Sequence, residues 1–339
     1  MATPGLMASG VGLSRNDVGA PFPHIEDVSA LEAVRDKVLD ALIETGDGPV
    51  WTVHDLGELS SLELACLAEK GLMTPGFARG TGFGRGFAVY GDGKASLEIN
   101  GTDHLQLLAH RDGEHLSELW TMLNVLDDQL ETAANYAFDP RWGYLTARPS
   151  QAGTGMRVYA TVHVPALMLT GRLAAVALEL LGQGFGIAPL WGGAGGLLQI
   201  SNLARHGKPE AEVLQQVKEI SKGMVEKERS VRKMMNRETP LQVKDHIGRA
   251  LGVLQQAWSV TFAEAVSLVS AAQVGMDMGI VEVPELVTQT AFEFLRGLQP
   301  AHLMMEKMDS RSGCLENPEI DEVRARVLRN AFVGASVRA

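Results

Sequence analysis

The segments of this chain with a strand-like pattern all lie before residue 237, and only helical patterns follow. Before that point, long helical segments alternate with short β-patterned ones, including a hairpin of Phe87–Tyr90 and Ala95–Ile99 around a glycine-rich turn. Helices interleaved with hairpin-connected strands are typical of an α+β domain with an antiparallel sheet. We therefore predict an α+β fold: an antiparallel sheet flanked by helices over residues 1–236, followed by an all-helical domain over residues 237–339.

Apolar residues at helical spacing predict the individual helices. In the first domain these are Asp27–Glu44, Leu59–Lys70, His115–Ala137, Ala166–Leu181 and Pro209–Asn236. In the second they are Pro240–Leu254, Thr261–Met276, Pro284–Leu295 and Pro318–Phe332, several of which begin at proline or a capping residue. Further strands are expected at Trp142–Thr146, Arg157–Val164 and Leu197–Ile200, and glycine-rich segments at Gly76–Gly86, predicted to be a flexible lid, and Gly182–Gly196.

Composition excludes several classes of protein. With 45% hydrophobic and 21% charged residues the chain is globular in type, and no segment resembles a membrane span or a secretory signal, so we expect a cytoplasmic protein without a membrane partner. The net charge of -11 argues against general nucleic-acid binding, because a phosphate backbone would be repelled. Cys66 and Cys314 lie far apart without CxxC spacing, so neither a disulfide framework nor a metal site is predicted.

Several short runs in the middle of the chain resemble, in order, the signature of the ATP:guanido phosphotransferases, whose usual form is GYLT-x-CPTN-x-GTG-x-R. The runs are Asn135–Asp139, Gly143–Thr146, Pro149–Arg157, His163–Leu167, Gln199–Asn202 and Gly207-Lys208. The chain most resembles the bacterial protein-arginine kinases of the McsB type, in which a catalytic α+β domain precedes a helical domain. The resemblance spans almost the whole chain.

Members of this family move the γ-phosphoryl group of ATP to a guanidinium group. Such catalysis consists of positioning and charge neutralisation, so arginines must clamp the phosphates beside magnesium. Carboxylates must also hold the cationic guanidinium in line and accept its proton. The resemblance thus implies a cluster of arginines, two glutamates and bound Mg-ATP in a working member.

Of the five phosphate-binding arginines that the resemblance implies, only Arg157 remains. The family motif S-x-R-x-R reads Ser9-Gly10-Val11-Gly12-Leu13, so both arginine positions hold glycine, at Gly10 and Gly12. In the motif NEEDHLRI the arginine is replaced by Gln106, and in RG-x-x-GE it is replaced by Ala188.

The groups that would hold the guanidinium are also replaced. Thr102 stands where the family has the gripping glutamate, and Gly193 where it has the second glutamate, before a loop that looks shortened. Arg148 replaces the cysteine that flanks the guanidinium, which puts a cation where a cationic substrate would lie. Asp103 and His104 survive and are, with Arg157, the residual candidates for a nucleotide site.

The surviving motif residues have a structural interpretation as well. Gly153 and Gly155 would allow a tight turn, and Asp103 or Asn202 would cap backbone groups. His104 and His163 lie in apolar strand patterns, where histidines are more often packed or hydrogen-bonded than ligands.

A second candidate site lies in the helical domain. In the protein-arginine kinases a motif R-D-x-x-R-A binds phosphoarginine, and here Asp321, Arg324 and the following alanine match it, while Ile320 replaces the first arginine. An aspartate can hold a guanidinium while an arginine holds phosphate. On a helix, Asp321 and Arg324 also lie one turn apart and could form a surface ion pair instead.

We therefore predict a pseudokinase with a regulatory or scaffolding role, which forms a homodimer through its helical domain and contacts a protein partner such as an active kinase or a protease system. Two alternatives stay open. One is a working protein-arginine kinase that uses Mg-ATP at a divergent site with Arg148, Arg157 and Asp103. The other is a module that binds phosphoarginine or another small anion through Arg157 or Arg324.

Overall fold

The computed structural model describes residues 5–25, 27–43, 50–80, 82–203, 207–283, 290–308 and 317–338, so Cys314 lies outside the described residues. Its strands are β1 (Leu6–Arg15), β2 (Trp51–His54), β3 (Gly86–Tyr90), β4 (Ala95–Ile99), β5 (Leu105–Asp112), β6 (Phe138–Asp139), β7 (Gly143–Tyr144), β8 (Met156–His163), β9 (Phe185–Pro189), β10 (Leu197–Asn202), β11 (Val281–Glu282) and β12 (Ser336–Val337). Its helices are α1 (Val28–Ile43), α2 (Ser61–Glu69), α3 (Pro75–Arg79), α4 (Leu116–Ala133), α5 (Pro165–Leu169), α6 (Leu173–Gly182), α7 (Glu210–Glu238), α8 (Pro240–Gln256), α9 (Phe262–Asp277), α10 (Ala291–Gly297), α11 (Pro300–Met308) and α12 (Asn317–Ala331).

Eight strands form one sheet in the order β2-β3-β4-β5-β1-β8-β10-β9. Every neighbouring pair in this sheet is antiparallel. The predicted hairpin is present as β3 and β4, and long helices flank the sheet. The predicted α+β class with an antiparallel sheet is confirmed.

The two faces of the sheet differ in what covers them. Val11 and Leu13 of β1 are fully buried and belong to the same hydrophobic cluster as residues of α1, α4 and α7. Burying each such side chain contributes about 1.5–3 kcal/mol, which anchors these helices to one face. Because side chains alternate along a strand, Gly10 and Gly12 belong to the opposite face.

The predicted helix Ala166–Leu181 is wrong as a single element. It is divided into α5 and α6 by a turn in which Gly171 has φ 67°. A glycine with positive φ closes a helix at its C-terminal end, whereas the apolar pattern runs through the turn without a break. The turn lets α5 pack on α7 while α6 packs beside β9.

Three other expectations also need correction. The glycine-rich segment Gly182–Gly196 contains a complete strand, β9, and the predicted strand Trp142–Thr146 is reduced to the two residues of β7. The C-terminal region is helical except for the short pair β11 and β12, in which Val281 lies opposite Val337. Two-residue strands are too short to produce a period-2 pattern.

A buried charge network joins the sheet region to the C-terminal helices. Arg232 of α7 donates from Nε to Glu228 at 2.6 Å and from Nη1 to Asp277 of α9 at 2.7 Å. Glu228 in turn accepts from the backbone amides of Ala166 and Leu167 at the start of α5. The carboxylate of Glu228 therefore meets both a cation and the amides of a helix terminus.

The network continues through His163 at the end of β8. Its Nδ1 lies 3.3 Å from Nη2 of Arg232, and its Nε2 lies 2.7 Å from Oγ of Ser270, which donates to the carbonyl of Gly195. These partners require a neutral ring with its proton on Nε2. Burial, reinforced by Arg232, lowers the pKa of His163 to about 3. His163 is thus a packed, hydrogen-bonded side chain.

The predicted domain boundary between residues 236 and 237 falls in the last turn of α7, just before α8 begins at Pro240. Trp191, between β9 and β10, stacks on Phe292 with ring centroids 5.3 Å apart. The sheet region and the helical region therefore share a packed junction, and their division into two domains stays a prediction.

Arg232→Met is expected to lower the free energy of unfolding by about 3 kcal/mol, because it leaves Glu228 buried without its cation. Arg249→Met is the matched control: it also removes an arginine paired with a carboxylate four residues earlier, but its side chain is 78% exposed. The free energy of unfolding of this control variant should fall by less than about 1 kcal/mol. Urea denaturation followed by circular dichroism measures both, and equal losses would contradict a structural role for the network.

Candidate functional site

The positions that the resemblance assigns to phosphate-binding arginines lie on one face of the sheet. Gly12 of β1 pairs with Arg157 of β8, and Gly10 pairs with Tyr159. Gln106 of β5 pairs with Ser14, two residues beyond Gly12. Ala188 of β9 pairs with Gln199, which pairs with Thr161 of β8. Because cross-strand partners share a face, the structure brings all five positions together.

The space that two of the missing arginines would need is filled by other side chains. A Cβ atom on Gly10 would lie 2.2 Å from Cζ of Tyr159, so the tyrosine ring rests directly on the glycine backbone. A Cβ atom on Gly12 would lie 3.1 Å from Cδ2 of Leu108. An arginine side chain at position 10 would clash with Tyr159 in its present position. Sequence reasoning missed Tyr159, because only the strand register places it opposite Gly10.

Arg157, the one arginine retained, is exposed and contacts neutral groups. Its Nη2 donates to Oε1 of Gln199 at 2.6 Å, and its guanidinium carbon lies 5.4 Å from the centroid of the Tyr159 ring. Gln106, in place of another arginine, accepts from the hydroxyl of Ser14 at 3.2 Å. This face therefore presents one cation where the resemblance implies five.

This face forms the floor of a cleft of about 1180 Å³. Its walls are formed by α2 with α3, and by Trp191 with Phe292 and Arg296 of α10. Elements from both ends of the chain thus enclose the space above the sheet, which we call the sheet cleft.

Two sets of polar contacts hold these walls in place. Arg296 of α10 donates to both carboxylate oxygens of Asp112 at 2.7 Å and lies 3.1 Å from Nε2 of His110 on β5. Burial, and then the charge of Arg296, lowers the pKa of His110 to about 4. On the other wall Glu69, at the end of α2, accepts from the backbone amides of Ala301 and His302 at the start of α11. The helical region is therefore tied to the sheet and to α2.

A buried carboxylate that sequence reasoning missed lies beside the replaced glutamate motif. Glu98 of β4 accepts from the backbone amide and from the hydroxyl of Thr74, the latter at 3.0 Å. Burial raises the pKa of Glu98 to about 7. Its Oε2 lies 3.9 Å from the place that a Cβ on Gly101 would occupy. The only sequence signal is a single acidic residue in an otherwise uncharged strand.

Asp103 and His104 are buried in the framework, and neither is among the described residues that line the sheet cleft. Oδ1 of Asp103 accepts from the side-chain amide of Asn16 at 2.8 Å and from the backbone amide of Ala147 at 2.7 Å. Nδ1 of His104 accepts from the backbone amide of Asp17 at 3.2 Å. These bonds tie the end of β1 to the turn before β5 and to the 145–147 loop.

Two of the expected folding roles are present in the geometry. The side chain of Asn202 accepts from the backbone amide of Val158 at 2.7 Å and donates to the carbonyl of Met156. Gly155 has φ 62°, and a Cβ there would lie 2.5 Å from the carbonyl oxygen of Ser14. Both motif residues fix the backbone around β8.

The three degenerate guanidinium positions are spread around the sheet. Thr102 and Arg148 are exposed, in the turn before β5 and in the loop before β8. Gly193 has φ 81° in the short connection between β9 and β10. That connection packs on α9, since a Cβ on Gly195 would lie 2.7 Å from the carbonyl oxygen of Val266.

The candidate phosphoarginine residues lie in the interior of the helical region. Arg324 is only 1% exposed and donates to the carbonyls of Leu298 and Val260 at 2.9 and 2.8 Å, and to the carboxylate of Asp321. Ile320, which replaces the first arginine of the motif, is buried as well. The ion pair that the helical spacing allows is formed, inside the protein and not on its surface. Phosphoarginine binding by this pair stays a prediction.

The described residues contain neither a membrane-spanning helix nor a group of side chains arranged as a metal site. None of the described helices is long and apolar enough to cross a membrane. Within the same residues, no group of three or more His, Cys, Asp or Glu side chains has the arrangement of a metal site. Cys66 is buried in α2, and burial raises the pKa of its thiol.

Two protein-family models match the chain. The model for the ATP:guanido phosphotransferase C-terminal catalytic domain matches residues 33–231, and the model for the protein-arginine kinase McsB C-terminal domain matches residues 240–338. Together the two matched segments span both the sheet region and the helical region.

Curated relatives match almost the full length. The protein-arginine kinase of Halothermothrix orenii is 31% identical over 96% of this chain and 92% of its own. That of Syntrophomonas wolfei subsp. wolfei is 30% identical over 96% of this chain and 90% of its own.

Solved structures share the fold at lower identity. The duplicated taurocyamine kinase of Schistosoma mansoni with bound transition state analog components has a TM-score of 0.61 and 18% identity, covering 72% of this chain and 37% of that one. Lombricine kinase has a TM-score of 0.58 and 20% identity over 67% of each chain. From the family models, the full-length relatives and the shared fold, we conclude that this chain belongs to the ATP:guanido phosphotransferase family and groups within it with the bacterial protein-arginine kinases.

Proposed function

We propose that this protein is a pseudokinase, a relative of the protein-arginine kinases that does not transfer the γ-phosphoryl group of ATP. The observation that carries the proposal is the packing of Tyr159 on Gly10, together with Leu108 beside Gly12. These uncharged side chains occupy the face of the sheet on which phosphate-binding arginines would stand. A triphosphate would meet an aromatic ring and an aliphatic side chain there.

The replaced positions remove positive charge from the site. Removing one preorganised transition-state donor costs about 3 kcal/mol, or roughly a hundredfold in rate. Such losses are not additive, but Gly10, Gly12, Gln106 and Ala188 all lack a positive charge. Of the other cations that line the cleft, Arg296 is neutralised by Asp112, and Lys70 and Arg79 are exposed residues at the ends of α2 and α3, away from the replaced positions on the sheet strands.

Exposed apolar surface supports the regulatory part of the proposal. The helix α6 carries one charged residue, Glu179, and its Leu178 and Leu181 are 71% and 57% exposed. Contiguous exposed apolar surface is typical of a protein interaction site. In the helical region Leu241 and Trp258 are each 79% exposed.

Purified protein incubated with labelled ATP, magnesium and an arginine-rich protein should transfer no label, and Mg-ATP should not raise the melting temperature, since any tightly bound ligand must do so. An active protein-arginine kinase assayed in parallel is the positive control. Label transfer to arginine that disappears in the Arg157→Ala variant would overturn the proposal.

A working kinase with a divergent site is the second candidate, and Glu98 is the observation that favours it. Its carboxylate lies next to the replaced glutamate motif, and a pKa of about 7 suits a general base near neutral pH. An argument against a catalytic role is that the carboxylate already accepts a hydrogen bond from the hydroxyl of Thr74. If transfer were observed, Glu98→Gln would abolish it in this second case.

The raised pKa of Glu98 should be visible in stability whatever the activity. The folded state holds a proton on Glu98 up to about pH 7, whereas the unfolded chain releases it near 4.5, so the contribution of Glu98 to the free energy of unfolding should fall as pH rises from about 4.5 to 7. His110 and His163, whose pKa values are lowered in the folded state, contribute with the opposite sign, so the effect of Glu98 is measured as the difference between the wild type and a variant without this carboxylate. The fall in the contribution of Glu98 should be on the order of 3 kcal/mol.

Glu98→Gln should remove this dependence, because an amide does not titrate. Glu118→Gln, which changes a glutamate whose side chain is 66% exposed, should keep the wild-type dependence. Urea denaturation across pH 4.5–8 measures all three proteins. Identical pH profiles for the wild type and the Glu98→Gln variant would show that the carboxylate is ionised throughout.

A further inference from the structure

The sheet cleft has the size of a ligand site. Its volume of about 1180 Å³ is somewhat larger than the roughly 300–1,000 Å³ typical of small-molecule sites. The contacts of Arg296 with Asp112 and of Glu69 with the start of α11 hold its walls at a fixed separation. A cleft held open by polar contacts at its rim is a preformed site for a ligand, and not a gap left by loose packing.

The lining of the cleft is mainly apolar. The apolar lining residues include Leu64 of α2 and Met73 in the turn after it, and Leu108 on the floor. Trp191 and Phe292 line the wall that contains α10. Apolar side chains on three sides would bury an aliphatic or aromatic body. These apolar side chains themselves present no charge to the phosphates of a nucleotide.

The charged groups of the cleft are mainly cationic, although the chain as a whole has a net charge of -11. Arg79 and Lys70 line it together with Arg157 and Arg296, against the single carboxylate of Glu69. Arg296 is neutralised by Asp112, and Glu69 is used by the start of α11. A local excess of positive charge in an acidic protein favours an anionic ligand.

Arg157 is the cation best placed to bind such an anion from the floor. Its observed hydrogen bond goes to the amide oxygen of Gln199, which is neutral and leaves the positive charge of the guanidinium in place. A guanidinium offers five N–H donors in a planar fork that matches a carboxylate. Tyr159 and Thr161, next along β8, add neutral polar groups beside it.

We propose that the sheet cleft binds an amphipathic monoanion, a small molecule with an extended aliphatic or aromatic body and one carboxylate that pairs with Arg157. This inference rests on the proposed loss of kinase function, because the same floor that would reject a triphosphate accepts an apolar body.

Fluorescence titration of the full chain with dansyl-undecanoic acid tests the proposal. This probe has an aromatic group, an aliphatic chain and one carboxylate. We expect saturable binding with one probe per chain, and binding of its methyl ester about tenfold weaker because the ester has no charge to pair with Arg157. Binding of several probes without saturation, or equal affinity for acid and ester, would overturn the proposal.

Substitutions locate the probe within the molecule. Arg157→Gln should weaken binding of the acid about tenfold and leave the ester unchanged, since only the charge pair is lost. The control is Arg141→Gln, which removes an arginine that is 83% exposed outside the cleft and should leave both affinities unchanged. Ala65→Trp, which places a large ring in the cleft from α2, should weaken the binding of both the acid and the ester. If Arg157→Gln binds the acid as the wild type does, the assigned head-group site is wrong.

Competition with Mg-ATP separates this inference from the proposed function. If Mg-ATP does not displace the probe and no phosphoryl group is transferred, the result agrees with both the ligand inference and the pseudokinase proposal. Displacement by micromolar Mg-ATP would overturn the ligand class, and label transfer in the kinase assay would overturn the pseudokinase proposal as well. Absence of probe binding together with absence of transfer would overturn the ligand inference alone.

Discussion

The pairing of β1 with β5 on one side and β8 on the other is the constraint on which the rest of the structure depends. β1 lies in the middle of the eight-stranded sheet. Because side chains alternate along a strand, its apolar core residues face one side of the sheet and the replaced arginine positions face the other. Val11 and Leu13 belong to the packed core beneath the sheet, whereas Gly10 and Gly12 belong to the other face, where Tyr159 and Leu108 lie against them. A change on the cleft face of β1 therefore alters the site while the core that holds the fold stays the same.

This separation explains how family membership and site chemistry can diverge. The family resemblance lies in residues that shape the backbone, such as Gly155 and Asn202, and the contacts of those residues are intact. The replaced arginine positions belong to the other face of the sheet, away from the cluster that contains Val11 and Leu13. A sequence can then keep about 30% identity over its full length while the residues required for phosphoryl transfer are exchanged.

The fold class, most helices and the identity of the replaced arginine positions could be predicted from the sequence, because periodicity and motif order are local signals. The shared face of those positions could not, because it depends on the strand register. The break between α5 and α6 was missed, since a glycine turn does not interrupt an apolar pattern. Contacts between distant segments could not be predicted either: Tyr159 over Gly10, Arg296 on Asp112, and the burial of Arg324 all depend on the strand register or on helix packing. Glu98 went unrecognised because its raised pKa arises from burial and not from any neighbour in the sequence.

The charge network around Arg232 has a consequence for how such chains can evolve. Glu228 and Arg232 belong to α7, but the second carboxylate, Asp277, and the hydroxyl of Ser270 come from α9. Recombination that exchanged the C-terminal helices for an unrelated segment would leave the arginine and the histidine in the interior without these partners. An exchange of the C-terminal helices is therefore expected to lower stability unless the new segment supplies both an acceptor for Arg232 and a hydroxyl for His163.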